Sequence, residues 1–241
     1  LHFPGFVSAE QVESLRAALA QVDAKLVAEK RERINGTPLR YGHDLDGRKM
    51  VHRFAFTSQL SDELHAFIHG ARFDAIKTLI QDGRIGDREK DGLVVNHYVN
   101  GEGSNYRQLG WHTDGLRDIF LHRRRPEPML NVGVYLDDSP REIGGPRLIP
   151  GSHQQGLFKM MFGKVYFLDN RPDPREICLE AKAGDLTIHD GRLWHRVARS
   201  PLTGEASRRR VMYVPIINGP FEPKHENSPM PIYHRLSRFA G

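Results

Sequence analysis

"AGDLTIHDGRLWHRV", residues 183–197, alternates turn and strand twice. Ala183-Gly184-Asp185 reads as a turn, "LTIHD" as a strand, and a second glycine-containing turn leads to His195. Outward from it the chain keeps this character. "LVVNHYV" (93–99), "MLNVGVYLDD" (129–138), "GPRLIPGS" (145–152), "KVYFL" (164–168), "EICLEAKAG" (176–184) and "RRVMYVPII" (209–217) are short runs rich in β-branched and aromatic residues, separated by Gly, Pro, Asn and Asp. Many short strands with turn residues between them predict an antiparallel sandwich or barrel.

The first part of the chain reads differently. "FVSAEQVESLRAALAQVDAKLV" carries Val12, Leu15, Leu19, Val22 and Leu26 at helical spacing, so one face should lie on the core. Ser8 is the expected N-cap, with Gln11 completing a capping box and Val7 and Val12 a hydrophobic staple. Residues 31–57 read as loop and short strand. A helical pattern from about Ser61 to Gln81 should be split at Gly70, since glycine weakens a helix interior. His65 and His69 stand four apart in it, a spacing that can hold a metal, but no Glu completes the His-Glu-x-x-His pattern. The chain is therefore expected to be one mainly β domain with N-terminal helices: a helical flank with loops over 1–91, a β-barrel core over 92–217, and an irregular proline-rich tail over 218–241.

Composition narrows the chemistry. Of 241 residues, 39% are hydrophobic and 27% charged, which is globular composition. No apolar run is long enough to span a bilayer, so no membrane is expected. The first residue is Leu1 rather than Met, which leaves open a preceding segment. Cys178 is the one cysteine. It excludes an internal disulfide and a Cys-rich zinc site, and fits a free thiol in a reducing, cytoplasmic compartment. The net charge of +5 favours an acidic small-molecule partner. No zinc-finger or RNP-type motif accompanies it, so nucleic acid is not the partner expected.

"GWHTDG", residues 110–115, supplies His112 and Asp114 at i, i+2, on one side of an extended segment. His195 offers a third ligand. Two imidazoles and a carboxylate make the facial triad used by non-haem Fe(II) oxygenases, which leaves positions open for substrate and oxygen. His153 and His189 read as structural, and His97 should face away from Tyr98.

"GWHTDG", "GGPRLIPGSH", "AGDLTIHDGRLWHRV" and "RRRVMYVPII" occur in an order that resembles the phytanoyl-CoA dioxygenase-like family, over about Leu93 to Ile217. The resemblance implies a double-stranded β-helix, a jelly-roll or cupin-like barrel. It implies Fe(II) on His112, Asp114 and His195, with 2-oxoglutarate and O2 as cosubstrates. The family places an arginine for the cosubstrate's distal carboxylate shortly after the last histidine, and a permanently charged planar fork suits that task. Arg209-Arg210-Val211-Met212 matches the pattern, so Arg209 is preferred over Arg208 and Arg210. Asn96, Tyr98 and Asn131 are further cosubstrate candidates. Trp111, Arg117 and Arg192 flank the ligands and are candidates for the substrate mouth. The implied activity is hydroxylation of an aliphatic C–H of a small organic substrate, with release of succinate and CO2. Asp114 argues against halogenation, because related halogenases lack that carboxylate. The competing readings are an AlkB-like demethylase, suggested by "NHYVNG" and the basic charge, and a non-catalytic metal-binding barrel.

Overall fold

The computed structural model describes residues 1–115 and 128–230. Its strands are β1 (His2–Phe3), β2 (Arg33–Ile34), β3 (Thr37–Pro38), β4 (Arg40–His43), β5 (Lys49–Phe54), β6 (Arg84–Ile85), β7 (Val94–Asn100), β8 (Leu109–His112), β9 (Met129–Tyr135), β10 (Gly145–Leu148), β11 (Ile177–Cys178), β12 (Leu186–Asp190), β13 (His195–Ala198) and β14 (Gly204–Ile217). Its α-helices are α1 (Ala9–Ala28), α2 (Asp62–Ile68), α3 (Ala71–Lys77) and α4 (Leu157–Phe162).

An eight-stranded sheet runs in the order β1-β12-β9-β14-β7-β5-β4, with β6 added to one end of β14. A four-stranded sheet, β11-β10-β13-β8, faces it. Tyr98, Tyr135 and Val211 of the large sheet pack with Val197 of the small one. The paired strands are antiparallel. This is the mixed α+β jelly-roll expected.

The longest strand, β14, is the spine. β7 pairs along one side of it and β9 along the other. Side chains alternate across a strand, and here the alternation sorts chemistry. Met212, Val214 and Ile216 are fully buried in the core beneath the helices. Arg209, Val211 and Tyr213 point into the space between the sheets.

Helix α1 covers the outer face of the large sheet. Ser8 caps it, its Oγ accepting from Gln11 N at 3.2 Å. The capping box is only half made, because Gln11 Oε1 accepts instead from Arg72. The apolar stripe lands as expected, with Leu26 at 0% exposure and Leu15 at 2%. Each such burial contributes about 1.5–3 kcal/mol. Asp23 on the same helix ties it to the sheet by accepting from Val51 N at 2.7 Å. The helical pattern after Ser61 divides as expected, with Gly70 the N-cap of α3.

Two expectations need correction. The first 91 residues are more than a flank, since β1, β4 and β5 extend the large sheet. Short strand was expected within 31–57 and is found there, but its Gly and Pro interruptions hide how it pairs. "KVYFL" is not a strand. Leu168 N and Asp169 N both turn back to Val165 O, and Phe167 has φ +61°. Its β-branched and aromatic residues cover a neighbouring site instead of joining a ladder. The tail is irregular to residue 230 and pinned by Lys224, which donates to Asp91 at 3.1 Å. Among the described residues no helix is long and apolar enough to cross a membrane.

Candidate active site

β8 and β13 are neighbours in the small sheet, and His112 pairs directly with His195. That register brings two residues 83 positions apart in the chain to a ring-centroid separation of 4.0 Å. Asp114 lies just past β8, held by Asp114 N and Gly115 N donating to Gly191 O at 2.7 and 3.1 Å. One donor atom from each of His112, Asp114 and His195 lies within 4.8 Å of the others. His195 Nε2 is 3.7 Å from Asp114 Oδ2.

The supporting contacts fix which nitrogens can ligate. His112 Nδ1 sits 2.8 Å from Gly110 O, and His195 Nδ1 sits 2.9 Å from Leu193 O. A carbonyl only accepts, so each Nδ1 carries the proton and each Nε2 presents its lone pair inward. Burial, and then the neighbouring His195, bring the His112 pKa down to about 3. Its imidazole is therefore neutral at physiological pH, the form that binds metal. Burial pushes the Asp114 carboxyl up, but the surrounding imidazoles of His195, His112 and His189 outweigh it and hold the pKa low. The carboxylate is anionic and accepts from Asn131 Nδ2 at 2.9 Å.

Two further residues border this centre. His189 is not the satisfied histidine expected. Both its ring nitrogens are buried without a hydrogen-bond partner, and its ring lies 4.9 Å from that of His195. Phe167 stacks on His112 at 5.0 Å, with the left-handed backbone that bulky residues avoid. Its loop is drawn against β8 by Phe167 N donating to Trp111 O at 2.9 Å.

Between the sheets lies a pocket lined in part by Tyr98, Tyr135, Ser139, Arg209 and Tyr213. Tyr213 links the two regions, since its ring also lies 6.4 Å from His189. The three consecutive arginines separate here. Arg208 donates to Asp44 and Glu205, and Arg210 to Asp137. Arg209 is 5% exposed, and its Nε and Nη1 have no partner among the described residues. Its Nη2 donates to Ala198 O at 3.3 Å, and its guanidinium lies over the Tyr98 ring at 5.4 Å. Burial drives its pKa down to about 10. Ser139 Oγ, at the same pocket, is also buried without a partner. Gly145, at φ +98°, keeps the space open. A Cβ there would come within 2.6 Å of Ser139 Oγ and 3.4 Å of Arg209 Nη1.

The remaining sequence candidates fall in different places. Asn96 faces the interior, with its Oδ1 taken by the Tyr106 hydroxyl at 2.9 Å. Tyr98 stacks on Tyr106 at 4.6 Å and supports Arg209 from below. Trp111 does not line a mouth. It is 0% exposed and donates to Arg171 O at 2.9 Å, because strand alternation turns it away from His112. Arg192 is held by Asp190 at 2.6 Å in the turn before β13. Arg117 lies outside the described residues. His97 faces away from Tyr98, against Arg208.

Residues 1–209 match the phytanoyl-CoA dioxygenase (PhyH) family model. No curated protein matches the chain in sequence. Among solved structures, the chain resembles SnoK, a non-haem α-ketoglutarate-dependent carbocyclase of nogalamycin biosynthesis. The TM-score is 0.64 at 16% identity, covering 99% of this chain and 85% of that one. It also resembles the epimerase SnoN, determined with Fe3+, α-ketoglutarate and nogalamycin RO, at TM-score 0.60 and 19% identity over 95% and 82% of the two chains. EvdO2 of Micromonospora carbonacea var. aurantiaca, complexed with 2-oxoglutarate, gives TM-score 0.60 at 13% identity over 95% and 89%. The family match spans most of the chain and includes both His112 and His195. The chain belongs to the phytanoyl-CoA dioxygenase family.

Proposed function

We propose that this protein uses Fe(II) and 2-oxoglutarate to hydroxylate an aliphatic C–H of a small organic substrate. The carrying observation is Arg209, a buried guanidinium with no carboxylate partner among the described residues, in a pocket that it shares with Tyr213, whose ring lies 6.4 Å from that of His189 beside the triad. A buried charge without a counter-ion is costly. A dicarboxylate cosubstrate removes that cost on binding, and a metal-binding barrel with no cosubstrate gives no reason to bear it.

The residues fit both groups. His112 Nε2, His195 Nε2 and the Asp114 carboxylate would hold the iron, a donor set suited to Fe(II). Asn131 orients Asp114 by its hydrogen bond, so its role is to steady a ligand more than to touch the cosubstrate. Arg209 would pair with the far carboxylate, with Ser139 Oγ offering a further hydrogen bond and Tyr98 fixing the guanidinium plane. Bound iron would supply the chemistry that couples the oxidation of 2-oxoglutarate by O2, to succinate and CO2, with insertion of the second oxygen atom into a substrate C–H bond. His189 presents two unpaired nitrogens beside His195 and would orient whatever occupies the space there. Phe167 shields the His112 ring and would keep water from it. Asp114 fills the position that a halide would need, which supports hydroxylation over halogenation.

The iron-loaded protein should release succinate from 2-oxoglutarate, and the Arg209→Ala variant should need far more cosubstrate to do so. No succinate from wild-type protein carrying one iron per chain would overturn the reading. Epimerisation and ring closure, the activities named for SnoN and SnoK, would be told from hydroxylation by a product that gains no oxygen. Chlorinated product in chloride buffer would contradict the role given to Asp114.

A further inference from the structure

We propose that His65, His69 and Asp87 form a second, solvent-facing site for a divalent transition metal, separate from the buried triad. His65 lies on α2 and His69, four positions on, is its C-cap residue, whose backbone N–H still donates to His65 O. Their ring centroids are 4.3 Å apart. The fold brings the third ligand from eighteen residues beyond His69. Asp87 Oδ2 lies 2.9 Å from His69 Nε2. One donor atom from each of the three lies within 4.8 Å of the others. Two imidazoles and a carboxylate suit Zn2+, Ni2+ or Cu2+. His65 and His69 are exposed and Asp87 is half-buried, so water can complete the coordination shell.

The frame that presents these groups is firm. Ser61 caps α2 by accepting from Leu64 N at 3.3 Å, and Leu64 and Ile68 are fully buried. The backbone of Asp87 is tied back by Gln59 Nε2, which donates to its carbonyl at 3.1 Å. Ligands held on packed elements lose little freedom when they bind. A bound ion would clamp α2 to the segment that leads into β7, and so stabilise the folded chain.

The test uses tag-free protein with the buried site removed by His112→Ala and His195→Ala, titrated with Zn2+ by calorimetry. One ion per chain is expected, with a rise in Tm of about 5 °C or more at saturating zinc. Adding His65→Ala should abolish both. That change leaves the His69–Asp87 hydrogen bond in place, so the metal-free Tm should not move. Should the double variant fail to fold, the same comparison holds in wild-type protein, where His65→Ala should lower bound zinc from two ions per chain to one. Zinc binding that survives His65→Ala, or a triad variant that folds and binds none, overturns the proposal.

Discussion

The eight-stranded sheet has two faces made by the same strands, and they are chemical opposites. The outer face presents Val95, Val132, Val134, Leu186, Met212 and Val214 to the helices, all at 1% exposure or less. The inner face presents Asn96, Tyr98, Asn131, His189, Arg209 and Tyr213 to the small sheet, and Arg209 and His189 carry buried polar atoms without partners. Folding rarely tolerates such atoms, because each leaves its desolvation uncompensated. Such atoms occur elsewhere too, in Ser58 and Gln155 for example, but those of Arg209 and His189 share this face on either side of Tyr213, where a ligand would complete the interior. The outer face holds the protein together, while the inner face waits for what it binds.

The largest effect should come from removing the histidines that the small sheet sets opposite the inner face. His112→Ala or His195→Ala should abolish stoichiometric iron binding, read by metal analysis, and reduce succinate release to background. The far-UV circular dichroism should be unchanged. Next comes the outer face, where Leu26→Ala should lower unfolding free energy by about 2–5 kcal/mol in urea. The KM for 2-oxoglutarate should stay the same, and a rise in KM would mean that the two faces are not independent.

His52 sharpens the contrast as a polar exception away from the inner face. It is 0% exposed, its Nε2 has no partner, and burial lowers its pKa to about 4. Below pH 6.5 the unfolded imidazole takes up a proton that the folded one refuses until about pH 4. Stability is therefore lost as pH falls through that window, by roughly 3 kcal/mol from this group. His52→Gln should recover about that much of the acid-induced loss in urea titrations at pH 7 and pH 4.

Arg209→Ala should raise the 2-oxoglutarate requirement about a hundredfold, or about 2.7 kcal/mol, with iron affinity little changed. Arg208→Ala and Arg210→Ala should stay near wild type in that assay. A large defect in Arg210→Ala alone would put the inner face one residue out of register. The smallest change is Ser8→Ala, which removes the α1 cap and should cost about 1 kcal/mol of stability with no effect on turnover.

The sequence showed the parts of this site that depend on short-range spacing. His112 and Asp114 sit two apart, His195 comes after a recognisable turn, and strand alternation separates Arg209 from its neighbours. What it hid depends on contacts between distant segments. Ser139 and Gly145 border the pocket only because β10 packs across from β14. Phe167 reads as a strand residue, and its turn is visible only in the backbone. Asp87 carries no signal as a partner of His65 and His69, since nothing local requires it. Trp111 misled through adjacency, because the next residue along a strand faces the other way. Short strand within 31–57 was legible, but its place at the edge of the large sheet was not, because that depends on pairing with β7.

The register of β14 against β7 is irregular between Gly204 and Arg209, in the span that separates His195 from the arginine pocket. The hairpin there can therefore change length without moving the rest of β14. An equivalent arginine in another chain of this fold should not be found by counting forward from the distal histidine. The reliable ruler starts from the apolar residue that occupies the place of Met212, under the helices, and runs backward by an odd number. Three steps back from Met212 is Arg209, while an even step lands on Arg210 or Arg208, which already have carboxylate partners. Alignments that slide a gap freely through 199–207 but hold 209–217 rigid will keep the two faces of the sheet apart, and those that do the reverse will exchange them.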